Sequence, residues 1–258
     1  MHIAVVLKQV PDLVEELEID SGGKDIDRSF VKMKLNEFDD HALEQAILLK
    51  ESSGARVTAV AVAADGIDQV LYAAKARGAD AAMKVDAGEE VLDSRRASSA
   101  LAGAIKQLAP DLVLVGVQAA DDLFGQTGPF LAAALGWPHV SVVSGVELAG
   151  EAGSKVRVHQ EYAGGRMAIL EVDPPVVIGV QAAPQPPRYV PVTRLRQAMA
   201  SGPIESSSAT AAAAESGVAV VAVSKPEAGK GAEMISGSAT DVAEKIAALL
   251  GERGLVRG

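Results

Sequence analysis

The residues best suited to chemistry form a polar, glycine-containing loop between an apolar run and an alanine-rich helix. The run Leu112 to Val115 leads into the loop Gln118 to Pro129, in which Thr127 and Gly128 begin the helix. In open α/β sheets, ligands lie beyond the carboxyl ends of the strands, and free N–H groups at a helix N-terminus favour a phosphate there. This order predicts an anion site, although an ordinary capped turn is an equally good interpretation of the segment alone.

Individual residues of this loop suit a nucleotide. Gly128 allows a phosphate to approach the backbone, Thr127 supplies a hydroxyl, and Gln118 supplies an amide for a ribose or a base edge. The other loop members of the predicted site are Ala119, Ala120, Asp121, Asp122, Leu123, Phe124, Gly125, Gln126 and Pro129.

Two further segments could contribute to the same site. Asn36 to Asp39 opens the first long helix, where such residues usually act only as caps, and the pair Asn36 and Asp39 resembles a capping box. Val60 to Asp65 ends a strand in small residues that could admit a flat adenine ring. Each signal is weak alone, but one crevice at the strand ends can unite all three.

The composition excludes several classes of function. Twenty-four basic against thirty-four acidic residues leave a formal net charge of -10, which repels a nucleic-acid backbone. The chain has no cysteine, so a redox role must use a bound organic cofactor rather than thiols or an iron–sulfur cluster. No apolar stretch approaches the roughly 18 residues of a membrane span, and we expect a cytoplasmic protein that is not membrane-embedded.

Other motifs have weaker chemical interpretations. Ser21 to Asp25 matches most of the SGGxDS loop of pyrophosphatase-type ATP enzymes, but no helical pattern follows, so a polar hairpin turn is predicted. His41 and Glu44 are spaced i, i+3, yet no second pair accompanies them, so we predict a solvated helix face and no metal. The GxSxG, HExxH and Walker motifs are absent, and no catalytic residue is predicted.

Short apolar runs alternate with stretches of helical period, which predicts an α/β fold with a Rossmann-like parallel sheet and helices on both faces. The predicted strands are Ile3 to Leu7, Val57 to Val62, Ala81 to Val85, Leu112 to Val115, Val140 to Val143 and Val176 to Val180. The domain is predicted to span residues 1–200 and to include a late antiparallel hairpin around Ala163 to Gly165. Residues 201–258 are predicted to form a loose, extended arm and a final helix capped by Ser238 and Asp241.

Taken in order, these segments resemble the small (β) subunit of the electron transfer flavoproteins over nearly the whole chain. VVLKQVPD resembles that family's opening strand, LNEFDDHALEQAILLKE its first helix, and GVQAADDLFGQTGPFLAAALGWPHVS its nucleotide loop. RGADAA, LEVDPPVVIGV and PPRY extend the match, and MISGSATDVAEKIAALL resembles the C-terminal helix.

The resemblance implies a fold of the adenine nucleotide alpha hydrolase-like kind and a heterodimer with an α subunit that carries most of the FAD site. It implies an electron carrier rather than an enzyme, one that takes electrons from acyl-CoA or other flavin dehydrogenases to a membrane quinone oxidoreductase, or the reverse in some relatives. The β subunit is expected to hold AMP as a structural nucleotide. Carried over by position, the AMP contacts are Val6, Asn36, Glu37, Phe38, Asp39, Val62 and Gln118 to Pro129.

The same resemblance implies that Arg188, Tyr189 and Val192 belong to a partner-docking loop, although the family commonly has Leu where Val192 stands. In bifurcating relatives a second FAD replaces AMP, and Phe124 is expected to crowd such a flavin. The alternative from another class is an ATP-binding stress or signalling module of the same fold. An ATP-dependent ligase or sulfurtransferase would depend only on Ser21 to Asp25.

Overall fold

A computed structural model describes residues 1–14, 16–29, 31–88, 93–122, 124–208, 219–227, 229 and 231–255. The strands in these residues are β1 (His2–Val6), β2 (Gln9–Pro11), β3 (Met33–Leu35), β4 (Arg56–Val62), β5 (Ala81–Asp86), β6 (Leu112–Gly116), β7 (His139–Ala149), β8 (Lys155–Tyr162), β9 (Arg166–Val172), β10 (Val176–Val180) and β11 (Glu205–Ser208). The α-helices are α1 (Glu37–Ser53), α2 (Ile67–Arg77), α3 (Ser94–Leu108), α4 (Thr127–Leu135), α5 (Val192–Ala200) and α6 (Ala239–Glu252).

One large, mostly parallel sheet organises the chain. Its strand order is β11-β5-β4-β1-β6-β10-β7-β8-β9, while β2 pairs separately with β3. Neighbouring strands from β11 to β7 are parallel, and β7, β8 and β9 are antiparallel. The α/β fold, the six predicted strands and the late hairpin are all confirmed.

Alternate residues of the central strands face two separate apolar layers. In β1, Ile3 and Val5 pack with α1 and α2, whereas Ala4 and Val6 pack with α3 and α4. Because both faces of these parallel strands are covered, their sequences are continuously apolar rather than alternating. This confirms the predicted helices on both faces.

The chain reverses its direction across the sheet next to β1. It passes from β1 outward to β4 and β5, and then returns to β6 on the other side of β1. Open α/β sheets bind ligands at such a switch point, in the crevice beyond the carboxyl ends of the two strands. Any ligand site is therefore expected near Val6 and Gly116, where β1 and β6 end.

The segment after α5 is better attached than the sequence predicted. β11 (Glu205–Ser208) extends the sheet by pairing with β5, farther along the amide of Val223 donates to the carbonyl of Gly23 at 2.9 Å, and Lys225 lies 2.9 Å from Glu18. The prediction of a loose arm over 201–230 is therefore wrong for these residues. Residues 209–218, 228 and 230 lie outside the described part of the chain, and the division into domains at residue 200 stays a prediction.

The turn at Ser21 to Asp25 is a polar hairpin, as predicted. Ile19 and Ile26 form an antiparallel bridge, and the amide of Asp20 donates to the carbonyl of Asp25 at 2.9 Å. The described residues 26–29 and 31–36 after this loop contain no helix, so the loop lacks the geometry of the ATP-enzyme motif.

The C-terminal helix α6 begins with the predicted cap and lies largely exposed. The Ser238 hydroxyl accepts from the amide of Asp241, and the Asp241 carboxylate accepts from the amide of Ser238. No residue of α6 is buried, and Ile246 and Leu249 of its apolar stripe are 45% and 42% exposed. Among the described residues, no helix is long and apolar enough to cross a membrane.

An ion pair attaches the proline-rich segment 183–191 to α1. Glu44, only 2% exposed, accepts from the backbone amide of Arg188 at 3.0 Å and from its guanidinium at 2.7 Å. The exposed Glu51 contacts the same guanidinium at 2.5 Å, and His41 accepts from the amide of Ala183 at 3.2 Å. The predicted solvated helix face at His41 and Glu44 is therefore wrong, since these side chains hold the segment in place.

We expect Glu44→Ala to lower the free energy of unfolding by about 2–3 kcal/mol, because the change leaves the amide of Arg188 without an acceptor and its half-buried guanidinium with Glu51 alone. Glu51→Ala removes a carboxylate from the same Arg188 on the solvent side and is expected to cost less than about 1 kcal/mol. Urea unfolding of the two variants measures the difference. Equal losses of unfolding free energy in the two variants would show that the burial of Glu44 adds nothing to the stability of the protein.

Candidate functional site

The carboxyl ends of three adjacent strands open into one crevice. Val6 ends β1 and Val62 ends β4 on one side of it, and Gly116 ends β6 on the other. The crevice holds about 770 Å³ of space, counting the part open to solvent, and adjoins a smaller pocket of about 270 Å³ that reaches Asn36 and Gln118. The three weak sequence signals therefore meet, as predicted, at the switch point of the sheet.

Asp39 connects the strand ends that frame the crevice. Its carboxylate accepts from the amide of Lys8, just beyond β1, and from the amide of Gly116, at the end of β6, both at 2.8 Å. Gly116 permits this approach because a side chain there would collide with the carboxylate and with Phe38. One buried side chain of α1 thus holds β1 and β6 at fixed positions.

Asn36 connects the start of α1 to the loop after β6. Its side-chain amide donates to the carbonyl of Gln118 at 2.8 Å, and its backbone amide donates to the carbonyl of Lys8 at 2.9 Å. The side chain makes no capping hydrogen bond with its own helix. The predicted capping box of Asn36 and Asp39 is therefore wrong, because both side chains bond to distant elements instead.

Burial raises the pKa of Asp39 to about 7. The hydrogen bonds from Gly116, Lys8 and Asn36 favour the carboxylate and oppose that rise. Removal from water exerts the larger effect. Burial therefore destabilises the charged form of Asp39, although its two oxygens accept from two backbone amides.

The loop after β6 is closed by its own hydrogen bonds. The amide of Asp122 donates to the carbonyl of Ala119 at 3.0 Å, and the amide of Gly125 donates to the carbonyl of Asp122 at 3.0 Å. Gly125 has a φ of 62°, and a side chain there would strike the carbonyl of Val117. The loop therefore has a defined shape rather than an open one.

The carboxylate of Asp122 occupies the N-terminus of α4. It accepts from the amide of Gln126 at 3.0 Å, from the amide of Thr127 at 3.2 Å and from the hydroxyl of Thr127 at 3.0 Å. Asp122 is only 7% exposed. The groups that the sequence assigns to a phosphate thus bond to an acidic side chain of the same loop.

Two cationic side chains line the crevice. The ammonium of Lys8 lies 2.8 Å from the carboxylate of Asp121, and Arg28 lies 3.3 Å from Asp25. Apolar side chains, Ile67 and Leu101 among them, line the crevice as well. The crevice thus combines charged groups with apolar surface that suits a flat ring.

The structure brings half of the predicted nucleotide contacts together and places the others outside the two pockets. Those that line the crevice or the adjoining pocket are Val6, Asn36, Asp39, Val62, Gln118, Ala119, Asp121, Asp122 and Thr127. Those outside both linings are Glu37, Phe38, Ala120, Phe124, Gly125, Gln126, Gly128 and Pro129. Leu123 lies outside the described residues.

Two of these outlying residues have different surroundings from those expected. Gly128 is buried, and the space of its missing side chain is occupied by the imidazole of His139, whose Nε2 would lie 2.9 Å from a β-carbon there. Burial lowers the pKa of His139, which favours the neutral ring. Phe124 is 89% exposed, so the argument that it crowds a flavin loses its support.

Sequence reasoning missed several residues that line the crevice. Lys8 and Gln9 directly follow the first strand, and that position beyond a strand end is the signal that could have found them. Arg28 follows the turn at Ser21 to Asp25, Met33 is the first residue of β3, and Ala97 lies in α3. Their participation depends on tertiary packing that no local pattern predicts.

Comparison with known proteins agrees with this geometry. A family model described as "Electron transfer flavoprotein domain" matches residues 25–212. The electron transfer flavoprotein subunit beta of Methylophilus methylotrophus is 35% identical over 263 residues, covering 98% of this chain and 98% of that protein. The proteins of the same name from Syntrophomonas wolfei and Clostridium acetobutylicum are each 34% identical, over 88% and 76% of this chain and 87% and 74% of their own lengths. The chain belongs to the electron transfer flavoprotein family. This membership confirms the resemblance drawn from the sequence.

The three residues assigned to partner docking differ in their availability. Arg188 is engaged by Glu44 and Glu51, and those two carboxylates raise its pKa. Tyr189 is 83% exposed, and Val192, 56% exposed, is the first residue of α5 rather than part of an irregular loop. In this member of the electron transfer flavoprotein family, Tyr189 and Val192 are open to a partner while Arg188 fixes the segment that carries them.

We expect Asp39→Asn to lower the free energy of unfolding by about 1–3 kcal/mol, because an amide NH₂ would face a buried backbone N–H. The difference from wild type should also depend on pH. The native state holds the Asp39 proton up to about pH 7, whereas the unfolded chain releases it near 3.8. Native stability from this group is therefore present at low pH and is lost as the pH rises to about 7, by up to about 1.4 kcal/mol per unit.

Urea unfolding from pH 5 to 8 measures this dependence, with the gap between wild type and Asp39→Asn expected to narrow as the pH rises. Glu37→Gln removes a charge from an exposed side chain in the same helical turn and is expected to cost less than about 1 kcal/mol. A gap that widens with pH would contradict the raised pKa.

Proposed function

We propose that this chain is the β subunit of a heterodimeric electron transfer flavoprotein, and that it binds AMP as a structural nucleotide in the crevice at the switch point. Its α-subunit partner carries FAD, which this chain helps to hold. The pair passes electrons from acyl-CoA or other flavin dehydrogenases to a membrane quinone oxidoreductase. The observation that carries the proposal is the meeting of Val6, Val62 and the loop Gln118 to Pro129 at one crevice.

The residues that line the crevice are of the types that a nucleotide needs. Val62, Ile67 and Leu101 supply apolar surface for a purine, which needs flat contact more than charge. Lys8 and the N-terminus of α4, near Thr127, supply the positive charge and the donors that a phosphate needs. The residues present therefore fit AMP without any further cation.

The nucleotide has a structural role in this proposal. A ligand that binds only the folded state adds RT ln(1 + [L]/Kd) to stability, about 2.7 kcal/mol at 100 times Kd. The crevice is framed by the end of β1, the start of α1 and the loop after β6. AMP there would join three elements that two side chains, Asn36 and Asp39, already connect.

Uncovered apolar surface supports a partner subunit. Ile246 and Leu249 of the α6 stripe are 45% and 42% exposed, and Val221 and Met234 in the preceding segment are each 85% exposed. Monomeric proteins rarely leave such surfaces open without a function. FAD, when bound at the partner, supplies the redox chemistry that a chain without cysteine cannot supply itself.

Co-expression with the α subunit, followed by mass spectrometry of the small molecules released on denaturation, tests the proposal directly. We expect a yellow heterodimer that releases AMP and FAD in equal amounts. Two FAD per heterodimer without AMP would instead favour the bifurcating type. A colourless homodimer that releases ATP would favour an ATP-binding module and overturn the carrier.

Val62→Phe tests the position of the nucleotide, because the larger ring would enter the crevice at the end of β4. We expect the Kd for AMP to rise about tenfold or more, equivalent to roughly 1.4 kcal/mol. Val221→Phe makes the same change at a site that is 85% exposed and should leave the Kd unchanged. Calorimetric titration provides both values, and equal Kd values in the two variants would place AMP elsewhere.

A further inference from the structure

Two neighbouring acidic residues of the nucleotide loop occupy the groups that attract anions at the crevice. Asp122 accepts from the amides of Gln126 and Thr127 and from the Thr127 hydroxyl, at 3.0–3.2 Å. Asp121 forms an ion pair of 2.8 Å with Lys8. The N-terminus of α4 and the ammonium of Lys8 are thus both neutralised by the same short stretch of chain.

These contacts join independent parts of the site. Lys8 follows β1 and lines both pockets, whereas the amides of Gln126 and Thr127 belong to the start of α4. Asp122 is 7% exposed, while Asp121 is exposed to solvent. A local helix cap explains Asp122 alone, but it does not explain why the adjacent Asp121 bonds the cation across the crevice.

We propose that Asp121 and Asp122 act as a built-in competitor for the phosphate of the nucleotide, and that AMP binds by displacing them from Lys8 and from the N-terminus of α4. The inference depends on the proposed function and adds how the affinity of that site is set. Two anions cannot share the same donors, because like charges at contact distance repel strongly. A ligand therefore binds only as tightly as its contacts exceed those of the two carboxylates.

Discrimination between ligands follows from this competition. Inorganic phosphate gains only the polar contacts, which the carboxylates already make. A nucleoside monophosphate also buries its base against Val62 and Leu101. Displacing the acidic pair lowers the affinity for both ligands alike, so the base contact decides which of them still binds at a given concentration.

The test uses the full-length protein purified with its α subunit and freed of nucleotide, titrated with AMP and separately with inorganic phosphate. Asp122→Asn keeps an acceptor for the α4 amides but removes its charge, and Asp121→Asn leaves that cap intact. We expect each variant to bind AMP about five to ten times more tightly, since hydrogen bonds to charged acceptors exceed neutral ones by about that factor. Phosphate affinity should rise by a similar or larger factor.

Asp86→Asn is the matched control, because it removes an acidic charge from the end of β5, at the same edge of the sheet but outside both pocket linings. It should change neither affinity. AMP affinities that stay at the wild-type value or fall in both Asp121→Asn and Asp122→Asn would overturn the competitor while leaving nucleotide binding intact. Absence of AMP binding by the wild type and both variants would overturn the proposed function as well.

Discussion

The buried carboxylate of Asp39 is the interaction on which the rest of the site depends. Parallel strands leave their last amides without partners in the sheet, and a crevice forms only if those ends stay apart yet fixed. Asp39 satisfies one amide beyond β1 and one at the end of β6. It lies in the first turn of α1, so the position of that helix is set by the same contact.

Under the proposed function, this arrangement gives the crevice a rigid part and a part that competes with the nucleotide. In the rigid part, the connections of Asn36 and Asp39 are buried and join elements far apart in sequence. In the other part, Asp121 and Asp122 bond to Lys8 and to the amide of Thr127, which are groups that can bind an anion. A structural nucleotide gains from such a frame, because only the loop needs to change when it binds.

The sequence predicted the elements that depend on local patterns, and it failed to predict contacts between segments that are distant along the chain. Apolar runs and helix stripes predicted the central strands, since burial on both faces leaves a continuous apolar signal. β2, β3 and β11 have three or four residues each and form by pairing with distant strands, which local patterns do not predict. From the sequence, Asn36 and Asp39 were interpreted as a helix cap, because only the folded chain brings Gln118 and Gly116 close to them. The sequence likewise could not predict that the side chain of Phe124 is exposed.

The short strand β11 has a consequence for solubility. An unpaired parallel edge is a template for strands of other molecules, and proteins commonly blunt such edges with short, polar segments. β11, with the sequence ESSS, covers the outer edge of the apolar strand β5 and is itself largely exposed. The four polar residues of β11 thus cover an edge of the sheet that would otherwise be open to pairing with strands of other molecules.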